Sequence, residues 1–297
     1  MNLIQNDLEK ILNRPQSKKI TTGLIELDGA ILGFQKNFLH LIGGNSSTGK
    51  SSLMRNMVLS AAKEVPVGVF PIEGGTFTNV EVMLYTLAEV NYHKRAKLNP
   101  QQTKAIEQAK KDLKKLKPIY FSSASSLYPN WILEKEKKED SIELEIEKMC
   151  KKGVGIFFID YLQIINWGFK AENEERRLSL IAEKCVGLAL KHEVPVVVLV
   201  QLTKEAANRG KDKDGDTTPT LYDLKGSGSL VQAADVVLLL HRPEYYKKKD
   251  AGDLFLESSE DAEIIVAKQR FGPLGPVEVK FVPHCMKWTN TRKGELF

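Results

Sequence analysis

Apolar runs rich in Val, Ile and Phe alternate along the chain with stretches of helical spacing. Runs that are apolar at nearly every position are typical of strands buried on both faces, as in a parallel sheet covered by helices. The sequence therefore predicts an α/β fold whose strands lie in FLHLIG, VGVFPIE, PIYFSS, VGIFFIDYLQII, VPVVVLVQ, DVVLLLH, AEIIVAKQ and PVEVKF. The last two runs are joined by RFGPLG, whose Gly and Pro residues predict a hairpin turn.

Helical periodicity predicts five helices between these strands, at about residues 51–62, 79–92, 100–116, 140–152 and 174–192. Another short helix is predicted at the start of the chain, before Pro15, and its apolar face consists of Leu3, Ile4, Leu8, Ile11 and Leu12. Because so short a helix is marginal alone in water, we expect it to dock on another surface. Residues 203–229 are polar, glycine-rich and too long for an idle connection, so this segment is either disordered or functional.

Composition adds only broad limits. The 297 residues, 42% of them hydrophobic and 27% charged, suit one α/β domain with a small appendage as well as two domains. The net charge of +5 permits binding of a polyanion without demanding it. Because no apolar run could span a bilayer and the start lacks the layout of a signal peptide, we expect a cytoplasmic protein without a membrane partner.

Cysteines and histidines give no sign of a structural metal site, and none is expected. Cys150, Cys185 and Cys285 are far apart and odd in number, which favours buried thiols over a disulfide framework. The five histidines lack a metal-ligand spacing. Two of them, His40 and His241, lie inside apolar runs, where we expect core histidines with satisfied ring nitrogens.

The segment IGGNSSTGKSS lies between a predicted strand and a predicted helix. It contains the pattern G-x-x-x-x-G-K-S in the setting that a phosphate-binding loop requires, which makes an accidental glycine-rich turn the weaker alternative. The glycines let the backbone curl round phosphate, the lysine reaches the outer phosphates and the serine can ligate Mg²⁺. The predicted nucleoside triphosphate site consists of Gly44, Asn45, Ser46, Ser47, Thr48, Gly49, Lys50, Ser51 and Ser52.

Three polar residues at the ends of other predicted strands complete this candidate site. Asp160 ends the run IFFID and can hold Mg²⁺ opposite Ser51. Glu73 ends VGVFPIE and can activate water, while Gln201 ends VPVVVLVQ and can sense the γ-phosphate. Because ligands of open α/β sheets bind at the carboxyl ends of strands, we favour these roles over ordinary surface polarity.

The order of these motifs resembles that of the RecA-like motor domain of DnaB-type replicative helicases. The resemblance begins at about Lys19, and IDYLQ, GS followed by ADVV, and AKQRFGP make it more specific than the phosphate loop alone. It implies a RecA-like P-loop NTPase core with a mostly parallel twisted sheet, a C-terminal β-hairpin and a short N-terminal linker helix. Residues 1–18 would be the linker helix and its connection, and residues 19–297 the motor domain.

The resemblance also implies roles for single residues. Glu73 matches the family's catalytic glutamate, Asp160 its Mg²⁺ aspartate and Gln201 its γ-phosphate sensor. Lys268 and Arg270 match a pair that is supplied in trans to the nucleotide of the neighbouring subunit. Two cations two positions apart on a strand can reach one anion, although without the family two solvated charges would be the first interpretation.

The segment DLKGSGS resembles a loop that lines the family's central channel and holds the single-stranded DNA backbone. Lys225 offers charge, while Gly226 and Gly228 let main-chain N–H groups approach phosphates. From the residues alone, a flexible linker is nearly as good an interpretation. The family usually has Arg-Glu where this chain has Lys225 and Gly226, which predicts a differently organised grip on DNA.

The implied function is that of an ATP-driven, Mg²⁺-dependent DNA helicase that forms a ring, expected to be a hexamer, and moves 5′ to 3′ on single-stranded DNA. Primase and a helicase loader are the implied partners. Because only a short helix precedes the motor in these residues, we expect no collar domain of the family's kind here and interpret the chain as a naturally short phage or plasmid version or an excised motor domain. Two alternatives stay open: a RecA-like recombination filament, and a nucleotide-switched loader or inhibitor with little hydrolysis. The second is motivated by Gly74 and Gly75, which loosen the backbone beside Glu73.

Overall fold

In the computed structural model, the described residues form one nine-stranded sheet covered by helices. These residues are 19–71, 75–122, 142–165, 167, 171–203, 217–224, 227–243 and 259–291. The strands in chain order are β1 (Leu39–Gly44), β2 (Val67–Pro71), β3 (Ile119–Phe121), β4 (Ile156–Asp160), β5 (Val196–Gln201), β6 (Val236–His241), β7 (Glu260–Lys268), β8 (Gly275–Val282) and β9 (Lys287–Asn290).

The sheet combines a parallel part and an antiparallel part. Across it the strands follow the order β3-β2-β4-β5-β1-β6-β7-β8-β9. From β3 to β6 all neighbours run parallel, and from β6 to β9 they run antiparallel. The eight predicted strands and the β7–β8 hairpin are confirmed. The sequence pattern does not predict β9, because its four residues KWTN are too few and too mixed in polarity.

Helices connect the strands at bounds close to those predicted. Among the described residues they are α1 (Ile25–Ile31), α2 (Lys50–Ala61), α3 (Gly75–Ala88), α4 (Pro100–Lys115), α5 (Ile142–Lys151), α6 (Glu174–His192) and α7 (Ser227–Ala233). The prediction for α6 is confirmed at both ends, whereas α3 begins and ends four residues earlier than predicted. The sequence does not predict α1 and α7, because seven residues show too little periodicity.

The apolar core lies in two layers, one on each face of the sheet. Because side chains alternate along a strand, Phe157 of β4 packs under α5 and α6 while Phe158 packs under α1 and α2. Both rings are completely buried. Every residue of β1, β2, β4 and β6 is likewise buried, which explains their nearly continuous apolar sequence.

The two core histidines differ in how their ring nitrogens are satisfied. The ring of His241 lies 3.0 Å from the hydroxyl of Thr217 and 3.1 Å from a carboxylate oxygen of Glu263, as expected. His40 is completely buried in β1, as expected. Its ring nitrogens make no well-formed hydrogen bond within the described residues, and the polar groups that act on the ring are the peptide groups of Phe38 and Val196. Burial lowers the pKa of His40 to about 4, against a smaller effect of two nearby peptide groups.

All three cysteines are free thiols, and the prediction of burial is confirmed for two of them. Burial raises the pKa of Cys185 to about 12 and that of Cys285 to about 11. Cys150 is only half-buried.

Part of the polar segment at residues 203–229 is well packed. Leu221–Asp223 forms a 3₁₀ turn, and the adjoining Leu224 is 1% exposed and pairs with Leu202. Residues 204–216 and 225–226 of this segment lie outside the described residues. Within the described ranges, no helix has the length and hydropathy needed to cross a bilayer.

Candidate nucleotide-binding site

The loop between β1 and α2 has the conformation of a phosphate-binding loop. Its backbone takes positive φ values at Ser47 (63°) and Gly49 (98°). The Nζ atom of Lys50 donates hydrogen bonds of 2.8 Å to the carbonyl oxygens of Gly44 and Asn45. The ammonium group therefore lies across the loop, where an anionic group would meet it.

Both motif glycines are required by the geometry of this loop. A Cβ atom at Gly44 would lie 2.8 Å from the hydroxyl oxygen of Thr48, closer than such atoms approach. At Gly49, a φ of 98° is a conformation that residues with a side chain rarely adopt. The Thr48 hydroxyl also donates to the carbonyl oxygen of Asn45 at 2.7 Å, which closes the turn. The backbone conformation of the loop, which needs both glycines, is thus suited to binding a phosphate group.

A cavity of about 560 Å³ opens beside the loop and brings the predicted residues together. Asp160 and Gln201 reach it from the ends of β4 and β5, as the rule for parallel sheets predicts. From the loop, the cavity wall includes Ser46, Ser47, Gly49, Lys50, Ser51 and Ser52.

The donor set for a Mg²⁺ ion is present in this cavity. The Ser51 hydroxyl and the Asp160 carboxylate both line it, and hard oxygen ligands suit Mg²⁺. Asp160 is only 5% exposed. Arg55 of α2 lies close enough for the carboxylate to favour its charged form, although burial has the larger effect and lowers the pKa of Arg55.

Gln201 contacts the phosphate loop directly and is held by Gln163, the last residue of IDYLQ, to which the sequence analysis gave no role. Its amide nitrogen donates to the Ser46 hydroxyl at 3.0 Å. The side chain of Gln163, in the turn after β4, makes two hydrogen bonds of 3.3 Å to the Gln201 main chain. Sequence alone could not reveal this pair, because it joins a side chain to main-chain atoms 38 residues away.

Two further residues hold the back of the loop and were also missed. Arg242, just after β6, donates to the carbonyl oxygen of Thr48 at 3.3 Å. Trp288 of β9 donates to the carbonyl oxygen of Gly49 at the same distance. Neither belongs to a motif, and each lies more than 190 residues from its partner along the chain.

Lys268 and Arg270 lie together, but at the edge of the sheet opposite the phosphate loop. The Nζ atom of Lys268 donates to the carbonyl oxygens of Val231 and Ala234 at 2.5 and 2.7 Å. The Nε atom of Arg270 lies 2.5 Å from a carboxylate oxygen of Asp235. Because Asp235 precedes β6, both cations lie where the parallel strands begin, whereas the phosphate loop follows a strand's end.

Not every predicted site residue belongs to the described part of the chain. Glu73, Lys225 and Gly226 lie outside it. Gly228 is described and exposed, but it lies in the first turn of α7 rather than in the expected loop. Its binding to DNA stays a prediction.

Comparison with known proteins finds replicative DNA helicases. The chain is 32% identical over 317 aligned positions to a replicative DNA helicase DnaB of Helicobacter pylori, covering 95% of this chain and 61% of that protein. It is 31% identical over 299 positions to a replicative DNA helicase DnaC of Bacillus subtilis, covering 97% of this chain and 60% of that protein. The chain therefore spans about three fifths of the length of these curated relatives.

Solved structures share the fold. One, of a DnaB-like replicative helicase and its interactions with primase, matches with a TM-score of 0.80 at 24% identity and covers 98% of this chain and 68% of that chain. Another, an ATPase domain, matches with a TM-score of 0.79 at 24% identity and covers 97% of each chain. The expected RecA-like core is thus confirmed. A family model of the DnaB-like helicase C-terminal domain matches residues 19–290, and the chain belongs to that family.

Proposed function

We propose that this chain is the motor of a replicative helicase that forms a ring and uses ATP to move 5′ to 3′ along single-stranded DNA. Family membership and a complete phosphate loop support the proposal. The relatives are longer than this chain, so the activity, the DNA substrate and the partners are all part of what is proposed.

Four residues of the cavity, together with Glu73, have proposed tasks in hydrolysis. Lys50 leaves the loop carbonyls for the outer phosphates, and Gln201 meets the γ-phosphate from the end of β5. Ser51 and Asp160 would hold Mg²⁺, and that ion would supply charge neutralisation at the phosphates of bound ATP. Glu73 orients the attacking water.

The distance between the phosphate loop and Arg270 within one chain is the observation that carries the proposal. Arg270 is paired with Asp235, whose other carboxylate oxygen accepts the N–H of Leu39, the first residue of β1. Lys50 is bonded to Gly44, the last residue of β1. At about 3.3 Å per residue these ends are roughly 16 Å apart, too far for Arg270 to serve the nucleotide of its own chain. It can serve only a neighbour, which favours a head-to-tail ring.

The DNA-binding role falls to the start of α7 and the residues before it. Lys225, Gly226 and Gly228 would meet the backbone phosphates, which carry no sequence information. The other end of α7 is held by Lys268 through Val231 and Ala234. A change at the neighbour's nucleotide could therefore move the grip on DNA through one short helix.

Primase and a helicase loader are the proposed protein partners. A solved relative is described by its interactions with primase, and that description concerns the relative alone.

A mixing experiment tests the shared site. Lys50→Ala removes the chain's own nucleotide contact, and Arg270→Ala removes the cation proposed for the neighbour. ATP hydrolysis is measured with single-stranded DNA for each variant alone and for an equal mixture. Alone, each should be inactive. In the mixture, an intact loop from an Arg270→Ala chain meets Arg270 of a Lys50→Ala chain, so activity should return to roughly a quarter of the wild-type value if chains mix at random.

The outcomes separate the proposed function from its alternatives. An inactive mixture of well-assembled variants would contradict the shared site. Negligible wild-type turnover, with nucleotide still bound, would favour the loader or inhibitor. The loader or inhibitor was suggested by Gly74 and Gly75. Gly75 has a φ of 60° at the start of α3, a conformation that favours glycine, so this glycine has a structural reason apart from slow hydrolysis. An open filament on DNA would favour the recombination protein.

A further inference from the structure

Two carbonyl groups of the phosphate loop receive hydrogen bonds from residues of β9 and of the segment after β6. The indole nitrogen of Trp288 donates to the Gly49 carbonyl and a guanidinium nitrogen of Arg242 to the Thr48 carbonyl, both at 3.3 Å. The donors are almost completely buried, at 3% and 5% exposure. They come from elements that form no part of the phosphate-binding motif.

The direction of these carbonyls decides the direction of the N–H groups that follow them. In a trans peptide, the C=O of one residue and the N–H of the next point to opposite sides. Fixing the carbonyls of Thr48 and Gly49 on the protein side therefore turns the N–H groups of Gly49 and Lys50 the other way. An anion-binding loop needs converging N–H groups of this kind.

We propose that Trp288 and Arg242 are positioning residues that orient the phosphate loop toward the phosphates of the nucleotide. They act through the main chain of Thr48 and Gly49. Trp288 does not line the nucleotide cavity, whereas Arg242 also contributes to its wall. The inference rests on the proposed function, since it concerns the same nucleotide site.

Neither donor is free to turn away from the loop. The guanidinium of Arg242 is paired with the buried carboxylate of Glu260 at 2.6 Å and lies 4.1 Å above the centre of the Phe281 ring. That ring in turn packs against the indole of Trp288, with the ring centres 5.0 Å apart. The two donors thus belong to one buried cluster.

The indole is also fixed relative to α2 and to the loop. The side-chain amide of Asn56 in α2 accepts a hydrogen bond from the main-chain N–H of Trp288 and donates one to the carbonyl of Met286, both at 3.3 Å. The indole ring packs so closely on the loop that a Cβ at Gly49 would lie 3.1 Å from it. Because β9 is tied to α2 beside the loop, the N–H of Trp288 meets the Gly49 carbonyl in a fixed geometry.

Trp288→Phe is the direct test, because it removes the N–H and keeps an aromatic ring. The Gly49 carbonyl would still accept the N–H of Leu53 at 2.8 Å, so no buried carbonyl is left without a partner. Trp167→Phe makes the same chemical change at a residue that packs on the core and does not line the cavity. Arg242 is less suitable, because its removal would strand the buried charge of Glu260.

Dissociation constants are measured for ADP and for inorganic pyrophosphate, both with Mg²⁺. Loss of one hydrogen bond should weaken both ligands by the same factor, about 3- to 10-fold, in Trp288→Phe and leave Trp167→Phe unchanged. Pyrophosphate touches the phosphate site alone, so equal weakening assigns the effect to the loop. Weakening of ADP alone would overturn the inference, as would affinities equal to wild type.

An NMR measurement on the unaltered Trp288 covers the case in which Trp288→Phe folds poorly. The chain has three tryptophans, so its indole N–H signals can be assigned from Trp131→Phe and Trp167→Phe. Pyrophosphate should shift the signal of Trp288 and not that of Trp167. An unmoved Trp288 signal at saturating pyrophosphate would overturn the inference. Absence of nucleotide binding by the wild-type chain would instead contradict the proposed function.

Discussion

Lys268 donates a hydrogen bond of 2.7 Å to the carbonyl oxygen of Ala234, the residue after α7. A second bond reaches Val231 inside the last turn of that helix. A positive charge at this end of a helix is favourable, because its last carbonyl groups lack partners. Burial lowers the pKa of Lys268, and the charge of Arg270 acts in the same direction. In the single protomer, the proposed trans-acting lysine is thus the cap of the helix that carries Gly228.

Lys268→Met should reduce the stimulation of ATP hydrolysis by single-stranded DNA by on the order of tenfold, because it removes a cation and the cap of α7 together. The affinity for ADP should stay at the wild-type value, since Lys268 is far from the chain's own loop. Lys280→Met is the matched control, because Lys280 lies on β8 in an exposed pair with Asp261. Wild-type stimulation in Lys268→Met would contradict the role given to α7.

Arg270→Ala should lower turnover by about 100-fold, the usual loss when one group that stabilises transition-state charge is removed. Assembly should survive, because Asp235 keeps its 2.8 Å hydrogen bond from the N–H of Leu39. Turnover and sedimentation are measured together, with Arg95→Ala as the control, since Arg95 is exposed and lies over the Tyr92 ring. Full turnover in Arg270→Ala would refute the trans role.

A pair of glycine substitutions tests the packing of the fold. Gly68→Ala should destabilise the protein by about 1–3 kcal/mol, because the new Cβ would lie 2.4 Å from the buried ring of Phe157. Gly187→Ala, in the exposed middle of α6, meets nothing within 4 Å and should stabilise by about 0.5–1 kcal/mol. Chemical denaturation measures the free energy of unfolding of both variants. Equal changes would contradict the prediction, because they would mean that the sheet adjusts to a Cβ at position 68 without cost.

The buried ring of His40 predicts a loss of stability in acid. Its pKa is about 4 in the folded protein against 6.5 in the unfolded chain. Between these pH values His40 is protonated in the unfolded chain and neutral in the folded protein. The free energy of unfolding therefore falls as the pH falls from 6.5 to 4. The full effect is on the order of 3 kcal/mol. His40→Leu should show a shallower pH dependence over this window, and an unchanged slope would refute the prediction.

The sequence was most informative where function depends on residues close together along the chain. The phosphate loop could be predicted completely, because strand, glycines, lysine and helix follow one another within residues 39–61. Asp160 and Gln201 could be added because parallel strands end at one edge of a sheet. The buried strands could be predicted from their continuous apolar runs. In contrast, α1, α7 and β9 are too short to show a repeating pattern of apolar and polar residues.

Sequence reasoning failed where a contact joins a side chain to a distant backbone atom. Gln163, Arg242 and Trp288 each donate to a main-chain carbonyl. Because every residue has such a carbonyl, the residue type does not reveal which one accepts a side-chain hydrogen bond. His40 shows the converse failure, because its apolar surroundings were visible but the lack of a well-formed hydrogen bond to its ring among the described residues was not. Both kinds of information appear only when the strands are assembled.

The opposed positions of Lys50 and Arg270 give each protomer two unlike ends. A two-fold dimer joins the same surface patch of its two subunits, so an interface that contains only the loop or only the arginine would leave every proposed site incomplete. If Arg270 has the proposed trans role, each head-to-tail contact would complete a single site. An open row of protomers would then have one site fewer than it has subunits, with a lone loop at one end and a lone arginine at the other. Closing the row would restore the missing site, so closure itself would add catalytic capacity.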